Sequence, residues 1–245
     1  MQPPSITDFD QTAFFLDFDG TLVEIAPTPD AVRLCDAARG ALRALLAATH
    51  GAVAIVTGRE IEAIDDFVAP LRLPVAGVHG LCRRDAAGIV YAQAVDLSFL
   101  EGAGLTLDAL ARQHPGLLVE RKSRSIALHY RSRPDCEALC RSAMEEIVGA
   151  NAAVGLMQGK MVVEARAEGA DKGTAIAAFL REEPFLGRRP VFAGDDVTDE
   201  DAFRAVNALD GVSIKVGPGV TQARYRLEDT AAFIEWLCSI SSTQR

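Results

Sequence analysis

The residues able to do chemistry sit in a few short segments. Asp17-Phe18-Asp19-Gly20-Thr21 holds two carboxylates around one phenylalanine, and Thr57-Gly58 offers a hydroxyl beside a turn residue. Lys172 lies within Ala170-Asp171-Lys172-Gly173-Thr174 at the start of a helix pattern, and Gly194-Asp195-Asp196 presents two adjacent acids. Acids converging from separate strand ends would repel one another unless a cation sat among them, and an all-oxygen donor set suits Mg²⁺, a hard ion. Gly20 permits a sharp turn after the second carboxylate, so the backbone N–H groups that follow can point at a phosphate. The Thr57 hydroxyl adds a donor, and Lys172 adds positive charge where a helix N-terminus already favours anions. This set of groups suits the handling of a phosphate with a divalent cation.

The elements that must position these groups are legible in the apolar pattern. Ala13-Phe14-Phe15-Leu16 is a continuous apolar run leading into Asp17, as expected of a strand buried on both faces of a parallel sheet. Ala52 to Val56 ends at Thr57, Val75 to Val78 ends at His79-Gly80, Val191 to Ala193 ends at Gly194, and Val212 to Ile214 ends near Lys215. Helix patterns fall between them, at Ala31, Leu34, Ala38, Leu42 and Leu45, and at Ile176, Phe179 and Leu180. Strand and helix in alternation predict an α/β fold, a doubly wound parallel sheet of Rossmann-like form. In such sheets ligands collect at the carboxyl ends of the strands, where Asp17, Asp19, Thr57, Asp195 and Asp196 all stand.

Residues 83–164 read differently. Ile126 to Arg131 alternates, with Ile126, Leu128 and Tyr130 on one face and Ala127, His129 and Arg131 on the other, which is a half-exposed strand. Lys160 to Glu164 is expected to be a second strand, with Lys160 and Glu164 sharing a face, and Asp135 to Val148 an amphipathic helix. The segment holds ten Lys/Arg and ten Asp/Glu, so the rest of the chain carries the whole formal charge of -9. The division expected is a core of 1–82 and 165–245 with an inserted α+β domain at 83–164.

Composition bounds the function classes. With 245 residues, 49% hydrophobic and 24% charged, the chain can bury a large core and has no apolar run of the roughly 20 residues that a membrane helix needs. An excess of acids argues against nucleic acid as a partner, since backbone binding depends on clustered Lys and Arg. The five cysteines are scattered, without a Cys-x-x-Cys pair, as expected of free thiols in a reducing compartment and not of a zinc site. Met1-Gln2-Pro3-Pro4-Ser5 has neither the basic start nor the apolar stretch of a signal peptide. A cytoplasmic protein is expected, with no membrane partner, and a monomer.

Taken in order, Asp17-Phe18-Asp19-Gly20-Thr21, Thr57-Gly58-Arg59, Lys172 and Gly194-Asp195-Asp196-Val197-Thr198-Asp199 resemble the four motifs of the haloacid dehalogenase superfamily. Ala76 to Gly80, Leu128 to Arg131, and Gln158-Gly159-Lys160 with Glu164 narrow the likeness to the trehalose-6-phosphate phosphatases within it, over about Phe14 to Trp236. The resemblance implies a magnesium-dependent hydrolase of a small sugar phosphate. Asp17 is then the nucleophile that takes up the phosphoryl group, and Asp19 the acid and base. Gly20, Thr21, Thr57, Gly58 and Lys172 hold the phosphate. Asp17, the Asp19 backbone carbonyl and Asp195 ligate the metal, while Asp196 and Asp199 orient Lys172 or the metal's water. For Asp199 and Thr198, ahead of Glu200, helix capping is the alternative.

The insert is implied to be a cap that closes over the site and chooses the sugar. His79, Gly80, Lys122, His129, Arg131 and Glu164 are carried over as substrate contacts, the alternatives being a solvated strand face for His129 and Lys160 and a hydrogen-bonded hinge between core and insert for His79. One position departs from the family pattern: Leu81-Cys82 follows the His-Gly pair where a sugar-binding glutamate is usual, although Arg83-Arg84 is retained and could approach the phosphate. The leading substrate is trehalose 6-phosphate. The alternatives are sucrose phosphate, mannosylglycerate phosphate or a glucosylglycerol-type phosphate, a phosphomutase, and a binding protein without activity, which the presence of Asp17, Asp19, Lys172 and Asp195 disfavours.

Overall fold

The computed structural model describes residues 4–26, 28, 31–94 and 96–242. The chain divides into two compact units, Met1–Tyr91 with Asp171–Arg245, and Ala92–Ala170. In chain order the first unit begins with β1 (Thr12–Leu16), α1 (Asp36–Ala48), β2 (Val53–Val56), α2 (Ile61–Val68), β3 (Val75–Gly77), β4 (Cys82–Arg84) and β5 (Val90–Ala92). The second unit holds α3 (Leu97–Gln113), β6 (Leu118–Arg121), β7 (Ser125–His129), α4 (Glu137–Gly149), β8 (Val154–Gly159) and β9 (Val162–Ala167). The first unit resumes with α5 (Lys172–Phe179), β10 (Arg189–Gly194), α6 (Glu200–Ala208), β11 (Val212–Val216), β12 (Tyr225–Leu227) and α7 (Thr230–Ser242).

The large sheet runs β12-β11-β10-β1-β2-β3-β4-β5. It is parallel from β12 to β3 and turns antiparallel between β3 and β4. Its central strands need continuous apolar runs because both faces are covered. Phe14 and Leu16 pack with Val53, Ile55, Val191 and residues of α1 and α7 on one side. Ala13 and Phe15 pack with Ala54, Phe192, Phe179 and Phe203 on the other. A fully buried phenylalanine stabilises by about 1.5–3 kcal/mol, so the Phe15, Phe179 and Phe185 cluster, with ring centroids 5.2–6.0 Å apart, anchors α5 beneath the strand ends.

The second unit is an antiparallel sheet, β6-β7-β9-β8. Ile126, Leu128, Tyr130, Val163 and Ala165 face α3 and α4 through Leu100, Leu107, Cys140 and Met144. Cys136 and Cys140 are buried core thiols there.

Several details differ from the sequence expectations. The helix pattern from Ala31 starts only at Asp36, because Cys35 has extended backbone, φ -71° and ψ 159°. Lys160 and Met161 are not strand: Gly159 pairs with Val162, so these two residues form the tip of the β8–β9 hairpin, with Met161 at φ 64°. The two units divide at 91/92 and 170/171, and β4 belongs to the first because it pairs with β3 and extends the large sheet. Among the described residues no helix is long and apolar enough to cross a membrane.

Candidate active site

The carboxyl ends of β1, β2 and β10 carry the reactive groups, and the parallel register sets them side by side. Phe14 pairs with Val191 and with Val53, so Asp17, Thr57 and Asp195 leave neighbouring strands at the same edge. Asp17 is buried, its backbone N–H donating to the Ala193 carbonyl at 3.0 Å. Lys172, the first residue of α5, is 2% exposed and donates from Nζ to Oδ1 of Asp17 and Oδ1 of Asp199, at 2.6 Å each. Asp171 caps that helix by accepting from the Thr174 N–H at 2.7 Å, which fixes where Lys172 begins. Thr21 lies with its Oγ1 3.4 Å from Oδ2 of Asp17.

Gly20 has φ +78°, and a Cβ there would lie 2.2 Å from Oδ2 of Asp195. A side chain at this position would occupy the space of the Asp195 carboxylate, so both the turn and the approach require glycine. Asp17, Asp195 and Asp199 each offer an oxygen such that these atoms lie within 4.8 Å of one another. Burial raises the Asp17 pKa well above the ordinary carboxylate value. Lys172 opposes that shift, while Asp199 and Asp195 add to it. Burial likewise pushes Asp195 up to about 7, with Asp199 and Asp196 contributing. Burial alone would lower the Lys172 pKa, but Asp17 and Asp199 outweigh it and hold the ammonium charged.

The remaining expected groups have definite partners. Asp19 directs both carboxylate oxygens at Arg59, at 2.6 and 2.7 Å. Thr57 is buried, and its Oγ1 accepts from the Arg59 N–H at 3.2 Å. A Cβ on Gly58 would meet Nε2 of His79 at 2.4 Å, so the imidazole packs directly on this glycine. His79 itself donates its N–H to the Thr57 carbonyl at 2.8 Å, and Gly80 passes against the Asp171 carbonyl. Asp196 turns its carboxylate to the Val197 N–H at 2.7 Å and caps the short helical turn over Val197–Asp199. Asp199 is fully buried and does not cap α6 with its side chain; Oδ2 accepts from the Asp196 N–H at 2.8 Å while Oδ1 holds Lys172.

Within the second unit Lys122 and Glu164 form a buried pair, Nζ to Oε2 2.6 Å. Arg131 is exposed, with its guanidinium 3.4 Å from the Lys160 carbonyl. His129 pairs with Glu120 at 2.7 Å on the same sheet face.

The sequence profile of the trehalose-phosphatase family matches residues 15–231. The chain belongs to the trehalose-phosphatase family. Trehalose-6-phosphate phosphatase of Escherichia coli (strain K12) is 41% identical over 230 residues, 94% of this chain and 86% of that protein. A probable trehalose-phosphate phosphatase of Sinorhizobium fredii (strain NBRC 101917 / NGR234) is 44% identical over 215 residues, 87% of this chain and 81% of that protein. A solved trehalose-6-phosphate phosphatase related protein superposes with a TM-score of 0.79 at 31% identity, over 94% of this chain and 97% of its own. The fold is that of the haloacid dehalogenase superfamily, and the trehalose-phosphatase family places the chain among phosphoric monoester hydrolases.

The donor chemistry of this trehalose-phosphatase site fits a divalent cation. Three carboxylates lie against the Lys172 ammonium with that of Lys215 beside Asp195, which still leaves an excess of negative charge in a buried, all-oxygen cluster. Both oxygens of Asp199 accept short hydrogen bonds, at 2.6 and 2.8 Å, whereas Oδ2 of Asp17 has only the long 3.4 Å contact from Thr21, so Asp17 and Asp195 are the freer donors.

Two supports escaped the sequence reading. Lys215, buried at the end of β11, donates to the Asp195 backbone carbonyl, and Thr230 at the start of α7 donates from Oγ1 to the Gly20 carbonyl at 2.9 Å. No local motif marks either; each acts through a contact that exists only once the strands are ordered. Arg83 and Arg84, expected near the phosphate, fork instead onto Glu182 and Asp65 at 2.6–2.7 Å. Arg83 is further held against Tyr91 and Phe179, so its charge belongs to the packing of the first unit.

Proposed function

We propose that this chain hydrolyses trehalose 6-phosphate to trehalose and phosphate through an aspartyl-phosphate at Asp17. The observation that carries this reading is the buried Asp17 carboxylate, held 2.6 Å from Lys172 and clustered with Asp195 and Asp199. Asp17 attacks phosphorus and the bond to the sugar oxygen breaks, with Asp19 giving that oxygen its proton. Water then attacks the phosphoryl group and passes its proton to Asp19, which frees phosphate and restores Asp17. Lys172 stays charged throughout and orients the nucleophile while offsetting charge on the transferring group. The hydroxyls of Thr57 and Thr21 and the turn at Gly58 supply the neighbouring donors; the Gly20 N–H, expected to point at the phosphate, instead donates to the Val23 carbonyl at 2.7 Å.

Mg²⁺ is the cation proposed, held by the Asp17 side chain, the Asp19 backbone carbonyl and Asp195. When bound it neutralises charge on the phosphoryl oxygens. Asp199 holds Lys172, and Asp196 holds the loop that carries Asp199. Lys122, Arg131 and Glu164 contribute sugar contacts from the second unit, and His79 and Gly80 contribute from the first. We assign the protein to the cytoplasm as a monomer whose partner is the sugar phosphate, with neither nucleic acid nor membrane involved.

Phosphate release from trehalose 6-phosphate, beside sucrose phosphate, mannosylglycerate phosphate and a glucosylglycerol-type phosphate, tests the assignment. Trehalose 6-phosphate is expected to give the highest kcat/KM without a sugar bisphosphate activator. A higher value on another sugar phosphate would overturn the substrate, and phosphate retained on sugar would overturn hydrolysis.

A further inference from the structure

Asp19 is the one proposed reacting group whose side chain is substantially open, at 37% exposure, and it stands beside a glycine turn at φ +78°. A carboxylate in that setting would sample several rotamers unless something held it. Arg59 does so with both arms of its fork, Nε to Oδ2 at 2.6 Å and NH2 to Oδ1 at 2.7 Å. The guanidinium is itself fixed. Its carbon lies 5.7 Å from the Phe18 ring centroid and 5.0 Å from that of Phe67, two rings that pack 5.4 Å apart. Its backbone is tied as well, the N–H donating to Oγ1 of Thr57 at 3.2 Å and the carbonyl accepting from Val78 at 2.9 Å. A planar fork fixes the orientation of a carboxylate in a way that a lysine ammonium cannot.

We propose that Arg59 is a positioning residue that sets the orientation of Asp19 for both of its proton transfers, and through Thr57 couples that orientation to the phosphate-binding turn. The inference rests on the acid and base role given to Asp19 above. Steps that use Asp19 therefore depend on Arg59, and steps that bypass it do not. Departure of a sugar alkoxide needs the proton, whereas departure of 4-nitrophenolate does not; hydrolysis of the aspartyl-phosphate needs Asp19 with either substrate.

The test uses the full chain with Mg²⁺, as wild type, Arg59→Lys, Arg59→Ala and Asp19→Asn. Steady-state turnover of trehalose 6-phosphate is measured beside rapid-mixing kinetics with 4-nitrophenyl phosphate. Both Arg59 variants are expected to lose about tenfold or more in kcat on the sugar phosphate with KM changed by less than about twofold, because positioned proton transfer is worth about 10²–10⁴-fold. With the aryl phosphate they are expected to release a rapid burst of nitrophenolate at the wild-type rate, then turn over slowly. Methylguanidinium is expected to restore part of the turnover of Arg59→Ala. A rise in KM at constant kcat would overturn the inference, since Arg59 would then grip substrate. Equal slowing of burst and steady state would overturn it in favour of a scaffold role. If Arg59→Ala does not fold, Arg59→Lys carries the same two readouts. Impaired Asp19→Asn beside unimpaired Arg59 variants would overturn the role of Arg59 alone, and wild-type turnover by Asp19→Asn would overturn that of Asp19 with it.

Discussion

The Lys172 ammonium bridges two buried carboxylates, 2.6 Å from Asp17 on one side and 2.6 Å from Asp199 on the other. Removing one partner of a buried ion pair leaves uncompensated charge and costs roughly 3–5 kcal/mol. Lys172→Met is expected to lose stability of that order in urea unfolding at pH 8 and less as the pH falls, because burial already raises the Asp17 carboxyl and removing the ammonium that opposes this favours its proton further. It is also expected to abolish turnover. An unchanged urea midpoint at pH 8 would contradict the arrangement.

Asp17→Asn keeps the shape of the site but supplies no nucleophile. Its turnover is expected to vanish while its circular dichroism spectrum stays that of wild type. Asp19→Asn is expected to lose about 10²–10⁴-fold on the sugar phosphate. Substantial residual activity in Asp17→Asn would reject the covalent route.

The metal-free protein is expected to carry a specific pH dependence. Asp195 holds its proton to about pH 7 in the folded chain, chiefly through burial, against an ordinary value of 3.8. The folded state therefore binds more protons than the unfolded state between those values, so this stability is fully present below pH 3.8 and is lost as pH rises through 7. In EDTA, the thermal midpoint of wild type should fall relative to Asp195→Asn between pH 5 and pH 8. Added Mg²⁺ should raise the wild-type midpoint more at pH 8 than at pH 5. Chelation should stop catalysis without unfolding the chain, since the apolar core does not depend on the metal.

The buried Lys122–Glu164 pair makes a prediction about recognition. Lys122→Ala and Glu164→Ala are each expected to lose at least about tenfold in kcat/KM on the sugar phosphate while sparing a small aryl phosphate, because a buried hydrogen bond to a charged group is worth about 1.5–3 kcal/mol. Each single change also strands one buried charge, so the double variant should be more stable than the two single losses added together. Equal losses on both substrates would remove these residues from sugar recognition.

Cys82 is a buried member of the core beside β3. Cys82→Ala is expected to lower the thermal midpoint slightly through lost packing and leave turnover within about twofold. A large drop in kcat at unchanged stability would show that the thiol has a role in the reaction.

The apolar runs marked five strands of the eight-stranded sheet, β1, β2, β3, β10 and β11, and the groups at their ends. A strand buried on both faces needs an unbroken apolar run, and Ala13-Phe14-Phe15-Leu16 and Val53-Ala54-Ile55-Val56 can satisfy no other element of that length flanked by turn residues. Parallel strands then deliver whatever follows each run to one edge, which is why Asp17, Thr57 and Asp195 could be grouped from their positions alone. Partner choice was not legible. Lys172 and Asp17 are separated by 155 positions, Thr230 and Gly20 by 210, and Lys122 and Glu164 by 42. Which of several nearby acids each cation meets depends on strand order and on side-chain direction, neither of which leaves a periodic trace. Of the two roles open for Asp199 the folded chain shows the one on Lys172, and only there do Arg59 holding Asp19 and the place of Arg83 and Arg84 in the packing become visible, because a buried charge pairs with whatever opposite charge the fold brings within reach.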